Sequence, residues 1–434
     1  MANYFPGSPN DDDFMVFPSD PDAWLIDGQG GNDTLTGGAQ GDTLLGGQGS
    51  DVLRGEGGGD TISGDGGNDA IFGGVGNDSL YTGVGASTVY GGDDDDRLYG
   101  GTSSDLFEGG AGFDWAILGA GADTAYGGLD GDLLEGQAGR DSLFGDEGGD
   151  YLFGGDDDDQ LYGGTGTNNL EGGTGHDRIY GGQNNDYAYG GDGNDTIDGG
   201  DDYDQIYGGS GDDVLIDTLG SNLFQGGDGA DLILDAGLGN DTVYGDAGND
   251  RLQSTGKGRD LAFGGAGDDR IDHGDGRDTI HGDLGYDTIE GGRGNDRIFG
   301  GGDDDVIEGH LGADWLQGGR GSDTLNGDFP GGAGGGRSDT FVYAAVQDST
   351  ATAADLIRDF ETDFDLIDLS RIDAFYGADF IGSDAFFATS IPLVRYDAGL
   401  LQGDINGDTI ADFAIRFDPA VTIGYWNLVL PDII

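Results

Sequence analysis

From residue 33 onward an aspartate returns every nine residues, and that interval holds for most of the chain. Asp33, Asp42, Asp51, Asp60, Asp69 and Asp78 open the series. Asp96, Asp105, Asp114, Asp123, Asp132, Asp141, Asp150 and Asp159 continue it, then Asp177, Asp186, Asp195, Asp204, Asp213 and Asp231. The register slips by one residue before Asp241, keeps Asp250, slips again before Asp260, and runs on through Asp269, Asp278, Asp287, Asp296, Asp305, Asp314 and Asp323. Ser87, Asn168 and Asn222 hold the same position in three repeats. With the aspartate placed sixth, the repeat reads GGxGxDxUx, U being a large aliphatic residue such as Leu35, Leu44, Leu53 or Ile62. Position eight shrinks to alanine at Ala116, Ala125, Ala188 and Ala262, which predicts loosely filled coils there.

One fixed apolar residue in nine matches neither the helical period nor a free-standing strand. A turn alternating with a short strand does match. Glycines at positions one, two and four permit positive φ and close backbone approach, so the first six residues are expected to turn and the last three to form a strand. Two repeats then close one coil of a solenoid, whose strands stack at about 4.8 Å with position eight inward. Tyr81 with Tyr99, and Phe144 with Tyr162 and Tyr180, recur at position nine in alternate repeats and are expected to form outward aromatic ladders.

Such a repeat buries too little apolar surface to offset the entropy of ordering so much glycine, which accounts for 97 of 434 residues. Aspartates two repeats apart share an edge, where at about 4.8 Å and an effective dielectric of about 20 each adjacent pair repels by roughly 3 to 4 kcal/mol before screening. A divalent cation between stacked turns reverses that sign. The oxygen-only donor set favours calcium over magnesium, which demands a tighter octahedron, and over zinc, which prefers His or Cys. About thirty calcium ions would carry roughly +60, close to cancelling the formal charge of −68. That charge argues against nucleic acid and makes an anionic membrane an unexpected partner, since both need a cationic face. With no cysteine, disulfides and thiolate metal sites are unavailable.

The stretch GGQGSDVLR, Gly46 to Arg54, and its copies resemble the RTX nonapeptide of calcium-binding proteins. The resemblance covers residues 28–326. It implies an all-β fold, a right-handed parallel β-roll solenoid of eighteen residues per coil with calcium along both edges and a small β-rich C-terminal cap. A Gly-rich linker is expected at 327–338, followed by a C-terminal region over 339–434. There DTFVY, DLIRDF and DLIDLS, between Asp339 and Asp373, resemble the C-terminal capping region of the serralysin metalloproteases, and Asp339 joins the candidate calcium ligands. Residues 431–434 resemble the acidic-then-aliphatic ending read by type I secretion exporters.

The segment DINGDTIAD places Asp404, Asn406, Asp408 and Asp412 at the spacing of a calcium loop and resembles the short loops of dockerins and integrin-type blades. Thr409 and Ile415 stand where an EF-hand needs glycine and glutamate, so a true EF-hand is not expected, and a polar hairpin turn is the alternative. Residues 1–27 carry Phe5, Phe14, Phe17 and Trp24 without a repeat and are expected to cap the first coil or dock onto another molecule. They lack the basic and apolar regions of a cleaved signal peptide.

No HExxH zinc motif or GxSxG elbow is present, and His176, His273, His281 and His310 are read as lone surface residues rather than ligands. An enzyme is therefore not expected. The expected function is a secreted, extracellular or cell-surface calcium-binding structural protein of a surface layer, matrix or filament, with calcium as folding trigger and, as partners, a type I exporter and further copies of itself in a homo-oligomer or filament. Two alternatives are an RTX adhesin or ice-binding rod, which the irregular row Thr34, Val52, Ala70, Thr88, Leu106 disfavours, and a membrane-active protein like the nodulation-type RTX proteins.

Overall fold

The computed structural model describes residues 3–328, 338–386, 391–418 and 420–431. These form two compact units, Met1–Ile216 and Asp217–Ile434. Both are built from parallel strands, and the only helices among the described residues are short 3-10 turns at Val346–Asp348, Asp373–Phe375 and Tyr425–Asn427. None of the described helices is long and apolar enough to cross a membrane.

In the first unit each strand pairs with the strand two repeats later. Thr43–Gln48 lies beside Thr61–Gly66, with Leu44 opposite Ile62, and Val52–Gly57 lies beside Ala70–Val75, with Leu53 opposite Ile71. Position eight points inward as the repeat requires: Leu35, Leu44, Leu53 and Ile62 are wholly buried. Most strands, however, run for six residues rather than the expected three, taking in positions one to three of the next repeat, as in Val52–Gly57. The glycines of positions one and two cause this, because a backbone without side chains can keep pairing to the next coil while it bends. Gly47, at position two with φ of 100°, faces Asp65 across the ladder. The position-one glycines Gly46, Gly55, Gly64 and Gly73 do not have positive φ; what they need is space.

Ala116 and Ala125 are buried like the larger residues of position eight. Leu118, at the next inward position, is fully buried, and Ala125 stacks between Phe107 and Leu143. The expected aromatic ladders form. Tyr81 stacks on Tyr99 at 4.8 Å, and Tyr126, Phe144, Tyr162 and Tyr180 make a continuous stack at 4.7 to 4.9 Å.

The N-terminal residues add one more turn of the same architecture. Asn3–Ser8 pairs in parallel with Trp24–Gln29, setting Phe5 against Ile26, and Asp13–Met15 pairs with Thr34–Thr36, setting Phe14 against Leu35. Phe5 and Phe14 stack at 4.1 Å over the first coil, so an aromatic pair covers what would be an open end.

In the second unit the parallel register runs past residue 326. Trp315–Arg320 pairs with Thr340–Val342, Thr324–Asn326 with Asp355–Ile357, and Thr340–Val342 with Leu366–Asp368. Antiparallel strands then appear: Leu393–Asp397 with Leu400–Asp404, and the latter with Phe413–Phe417. Phe413 meets Tyr343 and Phe375 edge-on at 5.3 and 5.6 Å, giving this end the larger apolar core that the repeats lack. Of the expected linker, residues 329–337 lie outside the described residues, as do 432–434 of the expected secretion ending.

Candidate metal centres

The position-six aspartates form a ladder along each edge. One carboxylate oxygen, Oδ1, accepts the backbone N–H of the position-six residue one coil earlier: Asp33 N–H donates to Asp51 at 2.7 Å, Asp51 to Asp69 at 2.8 Å, Asp114 to Asp132 at 2.8 Å. The donor–acceptor step is 18 residues in regular coils and 19 where the register slips, as from Asp241 to Asp260. Asn168 keeps the ladder by accepting from Asp150 through its amide oxygen, and Ser87 does so through its hydroxyl.

The second oxygen has no such use. Oδ2 of Asp51, Asp60, Asp78, Asp96, Asp114, Asp132 and Asp159 is buried without a hydrogen-bond partner. A carboxylate taken from water and left half-satisfied is costly. Beside it lies the position-one glycine. A Cβ on Gly46 would fall well inside contact distance of Asp51 Oδ2 and would also meet the Gly64 carbonyl of the next coil; Gly55 and Gly73 are enclosed in the same way. Orphaned carboxylate oxygens and main-chain carbonyls thus converge where no side chain intrudes, and such all-oxygen surroundings fit calcium.

Burial pushes these acids upward, opposed by the backbone hydrogen bond and reinforced by neighbouring carboxylates. Asp96, Asp132 and Asp159 reach about 8. At neutral pH the cation-free roll is therefore poised to take up protons or metal.

Three further acids follow this pattern at the end of the roll. Asp339 accepts from Asp314 N–H at 2.8 Å, Asp355 from Asp323 at 3.0 Å and Asp365 from Asp339 at 3.0 Å. Sequence reading found Asp339 and missed Asp355 and Asp365, because the spacing there is no longer nine. The residual signal was the D-x-U triplet in DLI at 355–357 and again at 365–367.

The 404–412 loop behaves differently. Asp404 is buried and spends both oxygens on its own turn, accepting from Gly407 at 2.7 Å and Thr409 at 2.9 Å, while Asp412 accepts from Ile405 at 3.0 Å. Its acids are not drawn into a group of three with donor atoms within 4.8 Å of one another; among the described residues such groups are Asp260, His273 and Asp278, and Asp235, Asp241 and Asp260.

The reading of the histidines as lone surface residues needs correction. His273 is buried, and desolvation lowers its imidazole to about 4, so it is neutral. His281 is stacked between Phe263 and Phe299 at 4.9 and 4.4 Å. Both sit in repeats whose strand alternation turns the side chain into a packed column, which composition alone does not reveal.

The family model described as Peptidase M10 serralysin C terminal matches residues 163–423, more than half of the chain, and extends the likeness read from residues 339–373 alone. The model described as RTX calcium-binding nonapeptide repeat matches six overlapping stretches between residues 25 and 170. A comparison with curated proteins gives no match.

Proposed function

Because the chain belongs to the serralysin C-terminal family and carries the calcium-binding RTX repeat, we propose that it is a secreted structural protein, folded by calcium outside the cell, that builds a surface layer, matrix or filament. The RTX repeats bind calcium, and the C-terminal family fits export by the type I route. The matched serralysin part is the non-catalytic one.

The observation that carries the reading is the buried row of half-satisfied carboxylates. Calcium supplies the positive charge that these oxygens lack, and the position-six acids from Asp33 to Asp323, with Asp339, Asp355 and Asp365, would hold it. Their Oδ1 atoms keep neighbouring coils in register, and the position-one glycines keep the space beside Oδ2 clear. At low cytosolic calcium the same acids repel one another and favour an unfolded, threadable chain; at extracellular calcium the equilibrium moves to the roll. The division into an N-terminal cap at 1–27, repeats at 28–326, a linker at 327–338 and a C-terminal capping and secretion region at 339–434 belongs to the same proposal. So does a further calcium site at Asp404, Asn406, Asp408 and Asp412.

Calcium added to the chelated chain should produce a cooperative gain of β circular dichroism, followed by light scattering and ordered assemblies in negative stain. β structure that survives exhaustive chelation would refute the folding role. Monodisperse monomers at high concentration in calcium would refute the structural one.

A further inference from the structure

In the second unit one edge breaks the glycine rule four times running: position one is Asp217, then Asp235, then Ser254, then His273. The ladder survives, with Asp241 N–H bonded to Asp260 and Asp260 N–H to Asp278, each at 2.9 Å. What changes is the space beside Oδ2, which side chains now enter. Ser254 donates to Asp235 Oδ2 at 3.2 Å, so that pair satisfies itself. His273 does not: it is 3 % exposed, and its Nδ1 is buried with no hydrogen-bond partner. Oδ2 of Asp278 is likewise buried and unpartnered.

We propose that Asp260, His273 and Asp278 form a site for zinc or a similar imidazole-seeking divalent cation, different in kind from the calcium positions of the regular edge. One donor atom from each residue lies within 4.8 Å of the other two, and all three residues are buried. An uncharged ring nitrogen aimed among carboxylates is a poor donor for calcium, which takes six to eight oxygens, and a good one for zinc, which binds nitrogen and oxygen in a small shell. An ion there would take one donor atom from each of the three residues. Three protein donors suit zinc with a position left for solvent. His273 also lines a surface pocket of about 490 Å³ together with Asp275, Arg293 and His310. Asp235 and Asp241 share Asp260 in the adjoining acid group and strengthen the local attraction for cations.

The test is a zinc titration of the full chain in saturating calcium, followed by calorimetry. One tight equivalent is expected, weakened by more than about tenfold in His273→Gly, which restores the glycine of the repeat and should fold. His176→Asn, in which an exposed ring is lost, should bind as the unaltered chain does. In the unaltered chain, zinc should also shift the ring NMR resonances of His273 alone among the four histidines, a readout that needs no variant. Absence of a tight equivalent, equal binding by His273→Gly, or shifts at another histidine would each overturn the assignment. None of these outcomes depends on whether the protein assembles.

Discussion

The regular edge at Gly55, Gly73 and Gly91 and the altered edge at Asp235, Ser254 and His273 carry the same carboxylate ladder and differ in one position. Along the first, position one is glycine and Oδ2 is left facing open space bounded by carbonyls. Along the second, side chains occupy position one: Ser254 bonds Asp235, and His273 brings a ring nitrogen near Asp260 and Asp278. The ladder sets the register. Position one sets which cation the edge accepts.

Protons give the largest expected effect, and it is common to the two edges. A carboxyl raised in the folded state favours folding below its unfolded value near 4 and loses that contribution as pH rises through its folded value. Along the regular edge the window ends at about 7 for Asp60, about 6 for Asp78 and about 8 for Asp96, and along the altered edge at about 7 for Asp241 and about 6 for Asp260 and Asp278. Chelated protein should therefore gain β circular dichroism on acidification from pH 8 to pH 5. An unchanged disordered spectrum across that range would break the comparison.

Filling the regular edge comes next. Gly73→Val would drive a side chain into Asp78 Oδ2 and the Gly91 carbonyl, and overpacking of this kind costs about 1 to 3 kcal/mol. Thermal melts in calcium should show that loss, while Ser254→Gly, which empties the altered edge, should change stability by less than about 1 kcal/mol. Equal effects would mean that position one has no special role.

The smallest change is Asn168→Asp. The amide already keeps the hydrogen bond from Asp150, so the change adds a charge and removes only the long amide donations to the Gly166 and Gly181 carbonyls. The calcium midpoint should move by no more than about twofold, because an added ligand in one repeat is diluted across a cooperative array. A larger shift, measured by the same titration, would show that single sites rather than the array control folding.

Most of the roll was legible in the sequence because the period is rigid: Asp51 and Leu53 each have one environment, dictated by nine-residue spacing. Strand length was not, since Gly46 and Gly47 look like turn residues and in fact extend the ladder. Asp355 and Asp365 escaped because the intervening chain varies in length while the geometry does not. His273 escaped for the opposite reason. Its spacing is regular, but burial at position one is a property of strand alternation that only coordinates disclose. The packing of Tyr343, Phe375 and Phe413 has no repeating pattern and could not be read at all.

The N–H of a position-six residue rests on the position-six side chain of the coil that follows, a carboxylate in most repeats, as from Asp33 to Asp51, Asp51 to Asp69 and Asp114 to Asp132. At the far end the debt is settled locally, Asp355 N–H by the Ser349 hydroxyl and Asp365 N–H by the Glu361 carbonyl. Within each compact unit, then, the edge is an arrow. Trimming a coil from its tail strands the position-six donors just upstream, whereas trimming one from its head leaves every remaining position-six N–H with its acceptor, so for this ladder the two ends of the same repetitive sequence are not interchangeable.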